Sequence, residues 1–137
     1  MIVDASVAIK WLVVEENSDL ASSLILRGDL IAPDLIASEI ANAMWKKFQR
    51  KELSGLPSGL ATIIDVFDRI EPSARFIVQA AELALELKHP AYDCFYLALA
   101  QATGQKIVTA DQRLLNKLSN TPFAELLLTL HDATQST

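Results

Sequence analysis

Positive charge is scarce in this sequence. Twelve Lys and Arg stand against 17 Asp and Glu, a formal net charge of −5. A generic nucleic-acid binder is basic, so that class is disfavoured. An enzyme that holds cations in a cluster of acids remains compatible. Cysteine is nearly absent. Cys94 alone forms no internal disulfide, and a reducing, cytoplasmic setting is expected. No apolar run approaches the ~20 residues that span a bilayer. Met1 leads straight into Ile2, Val3 and Asp4, with no basic n-region or cleavage site, so neither a signal peptide nor membrane attachment is expected. The four glycines form neither a P-loop nor a G-x-G-x-x-G turn. Ser6 lacks the G-x-S-x-G elbow of a serine hydrolase.

Apolar residues are plentiful, at 51% of 137, which suits one folded domain over residues 1–137. There is no repeat, low-complexity tract or linker. Loop-like punctuation is confined to GLPSG at 55–59, EPS at 71–73 and the polar tail ATQST. Between these, short apolar runs alternate with helical patterns. Strands are expected at MIV, LIA (30–32), 69–71, KIVT (106–109) and ELLLTL (125–130). Helices are expected near 6–14, 18–26, from Pro33 to Lys51, 58–68, 73–88, 91–103 and 111–118. Pro33 suits a first helical turn. Strands separated by helices imply βαβ units and an α/β fold with helices on both faces of a parallel sheet. Sites in such sheets lie outside the carboxyl ends of the strands.

Two acids, Asp4 and Asp111, fall at such ends. Asp4 is also a good helix N-cap, as is Ser6. Thr109 and Gln112 fit a capping box, with Asp111 then an ordinary acid in the first helical turn. Glu39 is harder to explain. Its helical neighbours Leu35, Ile36 and Ala43 form an apolar stripe, where a carboxylate is unfavourable without a partner. Asp93 precedes a helix with no charge from Cys94 to Ala100, and so reads as a buried acid in need of a cation or several donors. If all four converge at the carboxyl edge, their repulsion calls for hard divalent cations such as Mg²⁺ or Mn²⁺.

The stretches VDASVAIKW, SEIANAMWK, YDCFYLALA and VTADQRL, in this order over almost the whole chain, resemble the PIN-domain nucleases, and most closely the VapC-type toxins of toxin–antitoxin pairs. The resemblance implies a three-layer α/β/α sandwich and a metal-dependent ribonuclease. Asp4, Glu39, Asp93 and Asp111 match the family's acidic positions, and Ser6 and Thr109 its hydroxyl positions. The resemblance also implies an RNA substrate, a VapB-like antitoxin seated in a groove near the N-terminal helices, and a homodimer.

On this reading one or two Mg²⁺ or Mn²⁺ ions activate water for phosphodiester hydrolysis. Asp4 and Asp93 are the expected direct ligands. Glu39 and Asp111 hold a second ion or orient the water. Ser6 and Thr109 fix carboxylate rotamers. Lys46, Lys47, Arg50 and Lys51 read either as a solvated helix end or as a phosphate-contacting patch. His89 and His131 have no partner at metal-ligand spacing and read as structural or surface residues, and Cys94 as an inert core thiol. Two other readings stay open: a PIN nuclease in RNA processing without an antitoxin, and a non-catalytic PIN binding module. A signalling receiver is disfavoured, because no lysine follows the last strand.

Overall fold

A computed structural model describes residues 1–135. Ser136 and Thr137, the end of the polar tail, lie outside the described residues. Five strands form one parallel sheet: β1 (Ile2–Val3), β2 (Ile31–Pro33), β3 (Arg69–Glu71), β4 (Ile107–Thr109) and β5 (Leu127–Thr129). Their order is β3-β2-β1-β4-β5. The chain winds outward from β1 in one direction and then in the other, so the order reverses between β1 and β4. Among the described residues seven α-helices connect or follow the strands: α1 (Ala5–Leu12), α2 (Ser18–Arg27), α3 (Ile36–Gln49), α4 (Ile77–Leu87), α5 (Ala91–Thr103), α6 (Gln112–Leu118) and α7 (Leu130–Gln135).

Period-two alternation builds the three layers. Ile2, Ile31 and Ile107 point to one face and pack with Ala80 and Leu83 of α4, Leu97 and Leu99 of α5, and Leu114 and Leu118 of α6. Val3, Ala32 and Val108 point to the other, against Val7, Leu24, Ile36, Ile40 and Leu130. The strands are short, but both faces are covered. They therefore read as unbroken apolar runs, as buried parallel strands do. This is the α/β/α sandwich that the sequence predicts.

Several boundaries differ from expectation. Pro33 ends β2 opposite Glu71, and α3 begins only at Ile36. Pro33 has no N–H to donate, and the pairing of β2 with β1 is confined to Ile31 beside Ile2. Residues Ser58–Val66 and Ser73–Phe76 are 3-10 rather than α-helical, and a third 3-10 segment, Pro122–Leu126, shortens the last strand. The tail does not begin as a loop, because Leu130 and Ala133 bury one face of α7. The capping box at Thr109 and Gln112 does not form. Asp111 itself is the N-cap of α6, and its Oδ1 accepts from the Arg113 and Leu114 N–H groups at 3.0 and 3.3 Å.

Candidate active site

The register places Val3 beside Val108, so Asp4 leaves β1 next to Thr109 at the end of β4. The chain reverses its winding at this point, between the carboxyl ends of two adjacent strands, where open α/β sheets bind ligands. Asp4 caps α1 by accepting from the Val7 N–H at 3.3 Å. Ser6 Oγ donates to Asp4 Oδ1 at 2.6 Å and accepts from the Ala110 N–H at 2.9 Å. The single hydroxyl proton of Ser6 is thus committed to Asp4. The Ser6 and Thr109 hydroxyls themselves stand 3.4 Å apart. Thr109 Oγ1 in turn accepts from the Asp111 N–H at 3.0 Å. A relay of hydroxyls therefore ties the turn holding Asp111 to the Asp4 carboxylate.

Glu39 enters from the first turn of α3, and Asp93 from the first turn of α5. Asp4 is 7% exposed, and burial pushes its carboxyl up to about 6. The Ser6, Thr109 and Val7 hydrogen bonds oppose this, while the Asp93 charge adds to it. Burial likewise pushes Glu39 up to about 7, against the bond from Tyr96 and with the charges of Asp4 and Asp93. These three acids are close enough to repel one another. Asp111 stands at the same edge, joined to them through Thr109 and Ser6, with one oxygen engaged at the start of α6. Among the described residues no Lys or Arg pairs with any of the four.

One neighbour, Tyr96, lay outside the sequence reading, and a second, His89, was read there as a structural or surface residue. Tyr96 Oη donates to Glu39 Oε1 at 2.7 Å, and burial pushes its phenol well above the ordinary range. The available signal was a tyrosine within a helix otherwise apolar all round, whose hydroxyl must find an acceptor. His89 Nε2 lies 2.6 Å from Asp93 Oδ2, so this histidine has a partner after all. The i,i+4 spacing was the signal. Asp93 is also less buried than expected, its side chain remaining 27% exposed.

The basic cluster divides. Lys47 bonds Glu15 at 2.9 Å and Glu52 at 3.6 Å, and so ties α3 to the loop after α1. Lys46, Arg50 and Lys51 are exposed. They lie 7 to 12 residues beyond Glu39, roughly 10–18 Å along the helix path. The N-terminal helices spend most of their apolar residues on the core, leaving Val14, Ile25 and Leu26 exposed. An apolar groove of about 320 Å³ opens elsewhere, where Trp45 and Phe48 of α3 face Leu56.

The carboxylates suit a hard divalent cation in their chemistry: oxygen donors, mutual repulsion and, among the described residues, no Lys or Arg partner. Among the described residues, however, no three His, Cys, Asp or Glu side chains stand as a ready-made ligand cage. Mg²⁺ tolerates this, since it commonly keeps several waters and takes only one or two protein carboxylates. No helix among the described residues is long and apolar enough to cross a membrane.

Comparison with known proteins identifies the family and the fold. The PIN domain family model matches residues 1–119. Ribonuclease VapC3 of Pyrobaculum aerophilum is 33% identical over 122 residues, covering 85% of this chain and 93% of its own. Ribonuclease VapC9 of Mycobacterium tuberculosis is 34% identical over 116 residues, covering 83% and 87%. The crystal structure of PAE2754 from P. aerophilum superposes with a TM-score of 0.70 over 97% of this chain and 90% of that one, at 22% identity, a likeness of fold. With its sheet order, its acids at the winding reversal and relatives named VapC ribonucleases along most of its length, the chain belongs to the PIN-domain family.

Proposed function

We propose that this protein is a VapC-type toxin, a divalent-metal-dependent endoribonuclease that hydrolyses RNA phosphodiester bonds and is neutralised by a VapB-like antitoxin. One observation carries the reading. Asp4 and Glu39, with Asp93 beside them, are buried or half-buried, repel one another and have no Lys or Arg to balance them. Such an arrangement is expensive unless a cation completes it. Asp4, Glu39 and Asp93 would hold Mg²⁺ or Mn²⁺, with Asp111 as a fourth acid at the mouth. The bound ion supplies an acidified water and neutralises charge on the phosphate. The protein's own part is positional. Ser6 and Thr109 fix the Asp4 rotamer, and α1 and α6 hold Asp4 and Asp111 by their first-turn N–H groups.

Lys46 near the end of α3, and Arg50 and Lys51 just beyond it, offer phosphate contacts, whereas Lys47 is spent on its ion pairs. For the antitoxin, the α3 groove suits an apolar segment laid into it. A homodimer is part of the same proposal.

The test is cleavage of RNA by the purified protein with Mg²⁺ or Mn²⁺, beside EDTA and the Asp4→Asn variant. Cleavage that needs the metal and disappears in the variant is the expected result. Undiminished cleavage by the variant rejects the site, and binding of Mn²⁺ without cleavage favours a non-catalytic module.

A further inference from the structure

Two side chains to which the proposed mechanism gives no part stand against its carboxylates. Tyr96 is 2% exposed, and its hydroxyl engages Glu39 Oε1. His89 engages Asp93 Oδ2 from the turn before α5. The other oxygens, Glu39 Oε2 and Asp93 Oδ1, have no hydrogen-bond partner among the described residues. Each acid is therefore pinned by one oxygen and free at the other.

Local chemistry explains why Asp93 is available for this. In a capping box the side chain at the third helical position, a Glu or Gln, reaches back to the N-cap N–H. Here the N-cap is Pro90, which has no N–H. Asp93 is released from capping and meets His89 instead. The turn is built for the meeting. Lys88 caps α4 in a left-handed conformation at φ 52°, and the His89 N–H closes on the Ala84 carbonyl at 3.2 Å. That bond sets the direction in which the imidazole leaves the chain. Tyr96, one turn further along α5, reaches across to α3. One helix and its lead-in turn thus orient acids from two separate elements.

We propose that His89 and Tyr96 are positioning residues that each hold one oxygen of Asp93 and Glu39 and so present the opposite oxygens to a divalent cation. The assignment rests on the metal-dependent reading above. Partners of ligand groups commonly change metal affinity by ~10–100-fold when removed.

The experiment is calorimetric titration of Mn²⁺ into the wild type, His89→Gln, His89→Leu and Tyr96→Phe, together with RNA cleavage at graded Mn²⁺. Gln keeps a donor near the imidazole Nε2 position, whereas Leu removes it. Phe keeps the ring of Tyr96 and removes only the hydroxyl. His89→Leu and Tyr96→Phe should weaken Mn²⁺ binding at least ~10-fold and raise half-saturating Mn²⁺ in parallel. The KM for RNA at saturating Mn²⁺ should hold, and His89→Gln should stay near the wild type. Equal affinity across all four proteins overturns the assignment. Equal losses in His89→Gln and His89→Leu overturn the role of the His89 donor, since ring packing then suffices. A wild type that binds no Mn²⁺ rejects the metal-dependent reading and the positioning role with it.

Discussion

Asp4 serves two roles that conflict. As a carboxylate it caps α1, yet burial opposes its charge. The native carboxyl titrates near 6, well above an unfolded aspartate at about 3.9. Between those values the native state keeps a proton that the unfolded chain has released. Rising pH therefore favours unfolding across this interval. Glu39, raised to about 7, extends the interval upward. In EDTA the melting temperature should fall as pH rises from about 4 to 7 and then level off, with Asp4 alone contributing about 2–3 kcal/mol. Thermal melts across that range check this, and a rising or flat profile contradicts it. Asp4→Asn keeps a good cap and removes the charge. At pH 7.5 without metal it should melt higher than the wild type, while losing cleavage. A lower melting temperature would show that the charge itself stabilises the fold.

Within single elements, two helix ends take up the left-handed backbone region. Gly104 ends α5 at φ 69°, where an L side chain is disfavoured, and Lys88 occupies the same region at φ 52°. A Cβ at Gly104 meets no neighbour, so the loss from Gly104→Ala should be conformational only, about 1 kcal/mol. Lys88→Gly should gain roughly that much. Denaturant midpoints of the two variants should move in opposite directions. In α3 the basic residues separate by role. Replacing Lys46, Arg50 and Lys51 with Gln should weaken RNA binding and flatten its salt dependence. Lys47→Gln should leave that slope unchanged and lower stability by less than ~1 kcal/mol. Binding titrations at several salt concentrations distinguish the two outcomes.

Across the fold, α5 is the element on which the core and the site both depend. Leu97 and Leu99 are fully buried on the face that carries Ile2 and Ile107. Leu99→Ala should destabilise by about 2–5 kcal/mol through the cavity it leaves. A thermal shift too small to measure would mean that the core collapses around the gap. Bound Mn²⁺ should act in the opposite sense, raising the melting temperature with concentration as selective binding to the native state requires, about 2.7 kcal/mol at a hundredfold excess over Kd.

Much of this was legible from residue order. Alternating apolar runs and helical patterns predict the βαβ units, and burial of both sheet faces follows from strands without polar alternation. Asp4 and Asp111 are recognisable because a strand's carboxyl end is marked locally, by a short apolar run passing into a helix. Glu39 and Asp93 stand out because a charge interrupts an apolar pattern. Boundaries were less legible where local signals compete. Pro33 fits a helix start as well as a strand end, and only the β2–β3 pairing decides between them. Thr109 and Asp111 both suit a cap, and the sheet takes Thr109 for itself.

The sequence was silent wherever distant elements meet. Strand order depends on which βαβ units pack beside β1, a matter of competing tertiary contacts between segments of similar pattern. That order alone makes Asp4 and Thr109 neighbours and lets the Ser6 hydroxyl bridge them. The reach of Tyr96 to Glu39 spans 57 positions and two helices, so no local spacing encodes it. Periodicity reports which way a side chain faces relative to its own backbone. Which other backbone waits there is decided when the layers close.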